Sequence, residues 1–312
     1  MKVLTGIETF RVSKQPVSLA LGTFDGLHRG HRAIIDALRS SATEGGETVV
    51  TTFNPHPLTV IARPAEPFLL STLDERIELL RATGIDTLVI VRFDERLRML
   101  SAGAWLERIE RHLQPRRLVV SSTHAFGHNR QGHVAMLRDW AASRGIDVNV
   151  VPPVSEGGAV ISSTAVRGRL RDGDVSTAAR WLGRWYTVRG VVVAGAGRGR
   201  QLGVPTANLG VAPEKLLPAR GVYAAYATID QATYPAAVNI GVRPTFGGNG
   251  LAVEAHLIDA QIDLYDRALE LAFVERLRPE RRFADAAALR AQVAADLVSA
   301  REALAQRQPG AV

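Results

Sequence analysis

Short runs of apolar and β-branched residues recur along the first half of the chain, at residues 17–21, 48–53, 87–91, 118–121 and 148–151. Between them apolar positions repeat at helical spacing, as in Leu73, Ile77 and Leu80, then Trp105, Ile109 and Leu113, then Val134, Leu137 and Trp140. Strand alternating with helix predicts a mostly parallel sheet covered on both faces. In such a sheet, ligands bind outside the carboxyl ends of the strands.

After about residue 185 the texture changes. Strand-like runs at 186–193, 221–229, 234–240, 252–257 and 269–277 follow one another closely, punctuated by Gly, Pro and Asn. Close spacing with turn signals predicts an antiparallel barrel. A long helix then ends the pattern, with Leu289, Val293, Leu297 and Leu304 as its packing stripe and Asp285 and Asp296 on its polar side. Two domains are expected, 1–185 and 186–312, each large enough for its own core in a chain of 312 residues with 46% hydrophobic content.

Composition narrows the chemistry. With no cysteine, disulfides, thiolate metal sites and cysteine nucleophiles are excluded. The first eight residues are too polar for a signal peptide and no apolar run reaches membrane-spanning length, so the chain is read as cytoplasmic, with no membrane partner. The net charge of +7 comes mostly from arginines spread along the chain, without runs. Such a charge is compatible with nucleic acid and suits small phosphorylated ligands equally well. A composition simply rich in arginine and alanine accounts for it better than either, and nucleic acid is not among the expected partners.

The first candidate site is Gly22-Thr-Phe-Asp-Gly-Leu-His-Arg-Gly-His31, where the first strand hands over to a helix. His28 and His31 fall on one face of the opening turn, where the positive helix end already favours an anion. Gly22, Gly26 and Gly30 allow the backbone to come close to a ligand, and Asp25 adds a carboxylate. The arrangement suits a triphosphate.

The second lies at 190–208, where glycines and arginines including Gly195, Arg200 and Gly203 precede Pro205-Thr206-Ala207-Asn208. There is no Walker lysine and no G-x-G-x-x-G spacing. Such a loop can cover phosphates, and the oxygens of Thr206 and Asn208 suit a Mg²⁺ held jointly with nucleotide phosphates. Glu254, in an alternating strand, could accept a proton from a substrate hydroxyl.

The first segment resembles the HxGH signature of the nucleotidylyltransferase superfamily. Taken in order with GR-x-LG-x-PTAN (198–208), NIG-x-RPTF (239–246), VE-x-HL-x-D (253–259) and LRPE (277–280), it resembles the bacterial bifunctional riboflavin kinase/FMN adenylyltransferase (FAD synthetase) family over nearly the whole chain. The resemblance implies a Rossmann-like α/β nucleotidylyltransferase domain, then a Greek-key antiparallel β-barrel kinase domain of six strands with a C-terminal helix. The substrates implied are riboflavin, FMN and ATP, with Mg²⁺ as cofactor. It assigns the grip on ATP phosphates to His28 and His31, with Gly22, Phe24, Asp25 and Gly30 around them. Asn54 and His56 form a second nucleotide element, and Ser162, Ser163, Thr164 and Arg167 match the ISST-x-x-R element, where Arg167 would stabilise transferring phosphates. In the barrel, Thr206 and Asn208 would bind Mg²⁺–ATP, and Glu254 would activate the ribityl 5′-hydroxyl. Thr123, Phe126, Asn129 and Arg243 are assigned to the flavin.

One segment departs from the family. Where Val-Gly-x-Asp/Asn-Phe-x-Phe-Gly is usual, the chain has Ser121, Thr123 and His124 in place of Gly, the Asp or Asn, and the first Phe. Either the transferase tolerates the change, or the first domain is impaired or has changed its acceptor. A non-catalytic flavin or nucleotide binder is the reading from another class, and the intact metal and base positions argue against it.

Overall fold

The computed structural model describes residues 1–312 apart from 13–14, 43–44, 195–204, 243–250, 261, 306 and 308–312. By packing, the chain forms two compact units: Met1–Glu66 with Ser71–Ser162, and Pro67–Leu70 with Ser163–Val312. The division therefore precedes two helices that lie ahead of the change in texture at 185.

The first unit is a six-stranded parallel sheet. Its strands are β1 (Lys2–Thr5), β2 (Val17–Leu21), β3 (Glu47–Asn54), β4 (Thr87–Arg92), β5 (Pro115–Ser121) and, as the last in the sheet, β8 (Asp147–Val151). Two short hairpins lie beside the sheet, β6 (Ala125–Phe126) with β7 (Gly132–His133), and β9 (Ser155–Glu156) with β10 (Ala159–Val160). The helices are α1 (Arg29–Ser41), α2 (Pro57–Ile61), α3 (Leu73–Arg81), α4 (Glu95–Arg98), α5 (Ala102–Leu113) and α6 (Val134–Ala142). All three helical stripes read from the sequence are helices here. Strand order is β1-β4-β3-β2-β5-β8. Strands β2 and β4 are covered on both faces, which is why they read as unbroken apolar runs. One core cluster includes Leu19, Val49, Trp105, Ile109 and Leu137, and the other includes Ala20, Ile34, Leu38, Leu80 and Val119.

The second unit opens with α7 (Ser163–Asp172) and α8 (Val175–Leu182). Six strands follow: β11 (Tyr186–Val193), β12 (Ala207–Val211), β13 (Gly221–Ile229), β14 (Ala232–Val242), β15 (Leu251–Leu257) and β16 (Ala268–Arg278). They close into a barrel in the order β11-β12-β15-β14-β13-β16, antiparallel throughout. Strands β13, β14 and β15 run as successive neighbours and β16 returns beside β13, which is a Greek key. The final helix α9 (Ala286–Ala305) packs on the barrel through Leu297, Ala300 and Leu304. Asp296, expected on the polar side of α9, is buried instead, because Arg278 of β16 meets it with Nε 2.8 Å and Nη2 2.7 Å from its carboxylate oxygens. Paired in this way, the carboxylate can be held away from water.

Candidate functional site

In the first unit the candidate site is the turn between β2 and α1. His28 is the N-cap of α1, its Nδ1 accepting from the His31 backbone N–H at 3.3 Å. A ring nitrogen that accepts carries no proton, so in this arrangement the proton of a neutral His28 ring sits on Nε2. The His31 ring stacks on His28 with centroids 3.7 Å apart and planes 20° from parallel. A Cβ at Gly30 would lie 3.1 Å from the His28 ring and 3.3 Å from the Ile161 carbonyl, so a side chain there would have to push these neighbours aside by a few tenths of an ångström. Arg29 is ion-paired to Glu156 of the β9–β10 hairpin.

The turn is held from behind by a network whose members come from several elements. Phe24 (φ 51°), Gly26 (φ 78°) and Leu27 (φ 39°) are left-handed, a costly geometry for the two non-glycine residues. Asp25 is fully buried, and its Oδ1 accepts from both the N–H and the hydroxyl of Ser71, each at 2.9 Å. Ser71 Oγ in turn accepts from the Gly26 N–H at 2.9 Å. Arg76, also buried, places Nη2 3.9 Å from Asp25 and donates from Nη1 to Thr52 Oγ1 and the Phe53 carbonyl, each at 3.1 Å. Thr52 donates to the Thr23 carbonyl at 2.7 Å. Asp25 and Phe24 thus support the turn from inside rather than facing solvent, Phe24 lying wholly in the core. The sequence reading missed Ser71 and Arg76. The available signal was an arginine inside the stripe Leu73, Ile77, Leu80.

His56, at the end of the neighbouring strand β3, repeats the cap arrangement: it is buried and its Nδ1 accepts from the Leu58 N–H at 3.1 Å. Asn54 is exposed beside it. After β5, Thr123 and Asn129 are exposed, whereas Phe126 packs into the core. His124 lies over Phe126, ring centroids 5.5 Å apart, with its Nε2 enclosed and, among the described residues, without a hydrogen-bond partner. Burial, helped by the Arg130 charge, holds its pKa down to about 4, so the ring is neutral near pH 7.

In the second unit Ser163 and Thr164 open α7, directly after Ser162. Arg167 is buried, donating from Nε to the Phe68 carbonyl at 2.7 Å with its guanidinium over the Phe68 ring. In the barrel, Glu254 of β15 is paired in register with Asn208 of β12 on one side and Asn239 of β14 on the other. Residues directly opposite in antiparallel strands share a face, so a carboxylate stands between two carboxamides. Alternation puts Val253, Ala255 and Leu257 into the barrel core and leaves Glu254 half-buried on the other face. His256, on the face of Glu254, donates from Nδ1 to the Pro205 carbonyl at 2.7 Å and fixes the approach to Thr206 and Asn208. Asn239 and His256 were quoted in motifs but given no role by sequence alone. Gly195, Arg200, Gly203 and Arg243 lie outside the described residues.

Comparison with known proteins followed the same division. A family model described as FAD synthetase matches residues 11–165, and one described as riboflavin kinase matches residues 182–304. A bifunctional riboflavin kinase/FMN adenylyltransferase of Escherichia coli K12 is 35% identical, covering 99% of this chain and 100% of its own. The protein of that name from Pseudomonas fluorescens is 37% identical, covering 96% and 97%. A solved structure from Streptococcus pneumoniae, described as a macrolide-efflux protein, superposes with a TM-score of 0.88 at 27% identity, over 96% of this chain and 99% of that one. Among the described residues no helix is long and apolar enough to cross a membrane.

Proposed function

The chain belongs to the bifunctional riboflavin kinase/FMN adenylyltransferase family, and from that premise we propose how its residues divide the two reactions. It is an enzyme that phosphorylates riboflavin to FMN and adenylylates FMN to FAD, both at the expense of ATP. The residue roles are our own reading.

The kinase step is assigned to the barrel. The observation that carries this is the row Asn208–Glu254–Asn239 across three neighbouring strands. Glu254 takes the proton of the ribityl 5′-hydroxyl as that oxygen bonds to the γ-phosphorus of ATP, and ADP leaves. Thr206 and Asn208 offer neutral oxygens that would hold a Mg²⁺ jointly with the nucleotide phosphates. The ion would draw charge off the phosphates. His256 positions the Thr206–Asn208 segment through Pro205. The transferase step is assigned to the β2–α1 turn, where His28 and His31 present ring N–H groups to the triphosphate. His56 serves the nucleotide beside them. With ATP as co-substrate of both steps, the reading places the enzyme in the cytoplasm.

Product analysis with riboflavin, ATP and Mg²⁺ tests the division. A general base contributes about 10²–10⁴-fold, so Glu254→Gln is expected to lower FMN formation by that order while still converting supplied FMN to FAD. His31→Ala should do the reverse. Equal loss of both activities in either variant would defeat the assignment.

A further inference from the structure

Two segments quoted from the sequence, LRPE (277–280) and the glycine of NIG (239–241), have no part in the chemistry assigned above, and the barrel brings them together. In β14, Val238 and Ile240 are buried in the core, so Asn239 and Gly241 share the other face, which is the face of Glu254. A Cβ built on Gly241 would lie 2.6 Å from Glu280 Oε1 and 3.3 Å from Asn239 Nδ2. The Glu280 carboxylate therefore takes up the space of a side chain at 241, beside the carboxamide that flanks Glu254. The backbone of Gly241 is not left-handed, so its missing side chain supplies room rather than conformational freedom.

Glu280 is held there without being neutralised. Arg278, two residues before it, is committed to Asp296 of α9 through Nε and Nη2 and donates from Nη1 to the Pro279 carbonyl at 3.1 Å. Asp296 also accepts from Gln292 Nε2 at 2.7 Å, and Gln292 in turn accepts from Arg281. The guanidinium groups of Arg278 and Arg281 lie over the Phe283 ring, 5.7 and 4.8 Å from its centroid. Residues on either side of Glu280 are thus tied to α9. Glu280 itself is exposed and, among the described residues, has neither ion pair nor hydrogen bond.

The row Asn208–Glu254–Asn239 has two ends. Asn208, with Thr206 before it, is at the β12 end, where metal and phosphates are assigned, and β14 lies on the opposite side of β15. Attacking and leaving oxygens stand roughly in line in phosphoryl transfer, which leaves the β14 end to the acceptor. A second carboxylate would repel a polyphosphate, whereas it accepts readily from hydroxyl groups. Gly241 is two residues beyond Asn239, about 7 Å along the strand, a step that a ribityl chain with its terminal hydroxyl at Glu254 can span.

We propose that Glu280 is a specificity-determining residue of the kinase step, accepting a hydrogen bond from a secondary hydroxyl of the ribityl chain while Glu254 takes the proton of the 5′-hydroxyl. The proposal rests on the reading that the barrel phosphorylates riboflavin.

The test uses the full-length protein with Glu280→Ala and Glu280→Gln. FMN formation is followed at saturating ATP and Mg²⁺ with riboflavin varied. The competitor is the analogue whose ribityl chain is replaced by a hydroxypentyl chain, which keeps the ring and the terminal hydroxyl and lacks the secondary ones. Flavin fluorescence titration in the presence of ADP and Mg²⁺ reads both affinities without turnover. Loss of a charge-assisted hydrogen bond predicts a rise of about 10- to 100-fold in the KM and dissociation constant of riboflavin in Glu280→Ala. The rise should be smaller in Glu280→Gln, whose carbonyl oxygen still accepts. The KM for ATP and both constants of the analogue should stay at wild-type values. Unchanged riboflavin constants overturn the role of Glu280 while the kinase reading stands. A parallel rise for the analogue also overturns it, because the segment and not a hydroxyl contact has then been lost. If the wild-type protein makes no FMN from riboflavin and ATP, the reading of the barrel itself fails.

Discussion

Cutting the chain before Tyr186, where the sequence changes texture, and cutting it before Ser163, where the packing divides, give two barrel fragments that should differ sharply in stability. The longer one keeps α7, α8 and Trp185. Of these, Ala179 and Trp185 share a buried cluster with Ala224, Tyr226, Val274, Ala300 and Leu304 of the barrel and α9. A buried Trp withdraws about 150–250 Å² from water, which at about 25 cal/mol/Å² is worth roughly 4–6 kcal/mol as an upper value. Deleting such a side chain in a core typically costs ~3–5 kcal/mol. Shortening also removes the bond from Ser176 Oγ to the Val274 carbonyl and leaves the Ala219 N–H without the Leu170 carbonyl it bonds at 2.9 Å. Both fragments lack Pro67–Leu70, so their difference isolates residues 163–185. Against a total of about 5–15 kcal/mol for a domain, a loss of at least 3 kcal/mol should make fragment 186–312 marginal. With a urea slope of about 1–3 kcal/mol/M, its midpoint should fall about 1–3 M below that of 163–312. Kinase activity should survive in the longer fragment and be weak or unstable in the shorter. Midpoints agreeing within about 0.5 M would refute the argument, because the two helices would then contribute no packing that the barrel needs.

Ser71→Ala removes hydrogen bonds to both Asp25 and Gly26 in a buried network. It should lower the stability of the first unit by about 1–3 kcal/mol and slow FAD formation, while the kinase rate, measured on the same protein, should be untouched. Loss of both activities together would contradict it. Replacing His124 changes the pH dependence of stability. Its pKa lies near 4 in the folded chain, against an ordinary value of 6.5, so as pH falls through 6.5 the unfolded chain takes up the proton first. Stability from this group is present above 6.5, is lost progressively down to about 4, and changes no further below that. Between pH 7 and 5 the urea midpoint of the wild type should therefore drop more than that of His124→Phe. Equal drops would show that folding does not lower the pKa of His124.

What the sequence made legible was whatever carries its own period. The parallel strands and α3, α5 and α6 advertise buried faces, and most of the barrel strands alternate cleanly. Helix α8 escaped because it is only eight residues long and two of its five buried positions, Ala178 and Ala179 beside Val175, Trp181 and Leu182, are alanine. In α7 one of the three buried positions is Arg167. A charged or small residue on the inner face weakens the apolar signal that marks a helix, so a boundary drawn by texture fell at 185 while packing drew it at 162. Strand β12 is five residues long and carries Gly210, too little for periodicity to register.

The same distinction runs through the sites. His28, His31, Thr206, Asn208 and Glu254 sit in compact motifs, and their chemistry can be read where they stand. The groups that hold them arrive from far along the chain: Ser71 is 46 residues from Asp25, and His256 is 51 residues from Pro205. Neither has a local pattern, because the constraint on each is hydrogen bonding made across the fold. Asp296 shows the converse error, since helical spacing placed it on the wet side of α9 and only the arrival of Arg278 from another element made its burial tolerable.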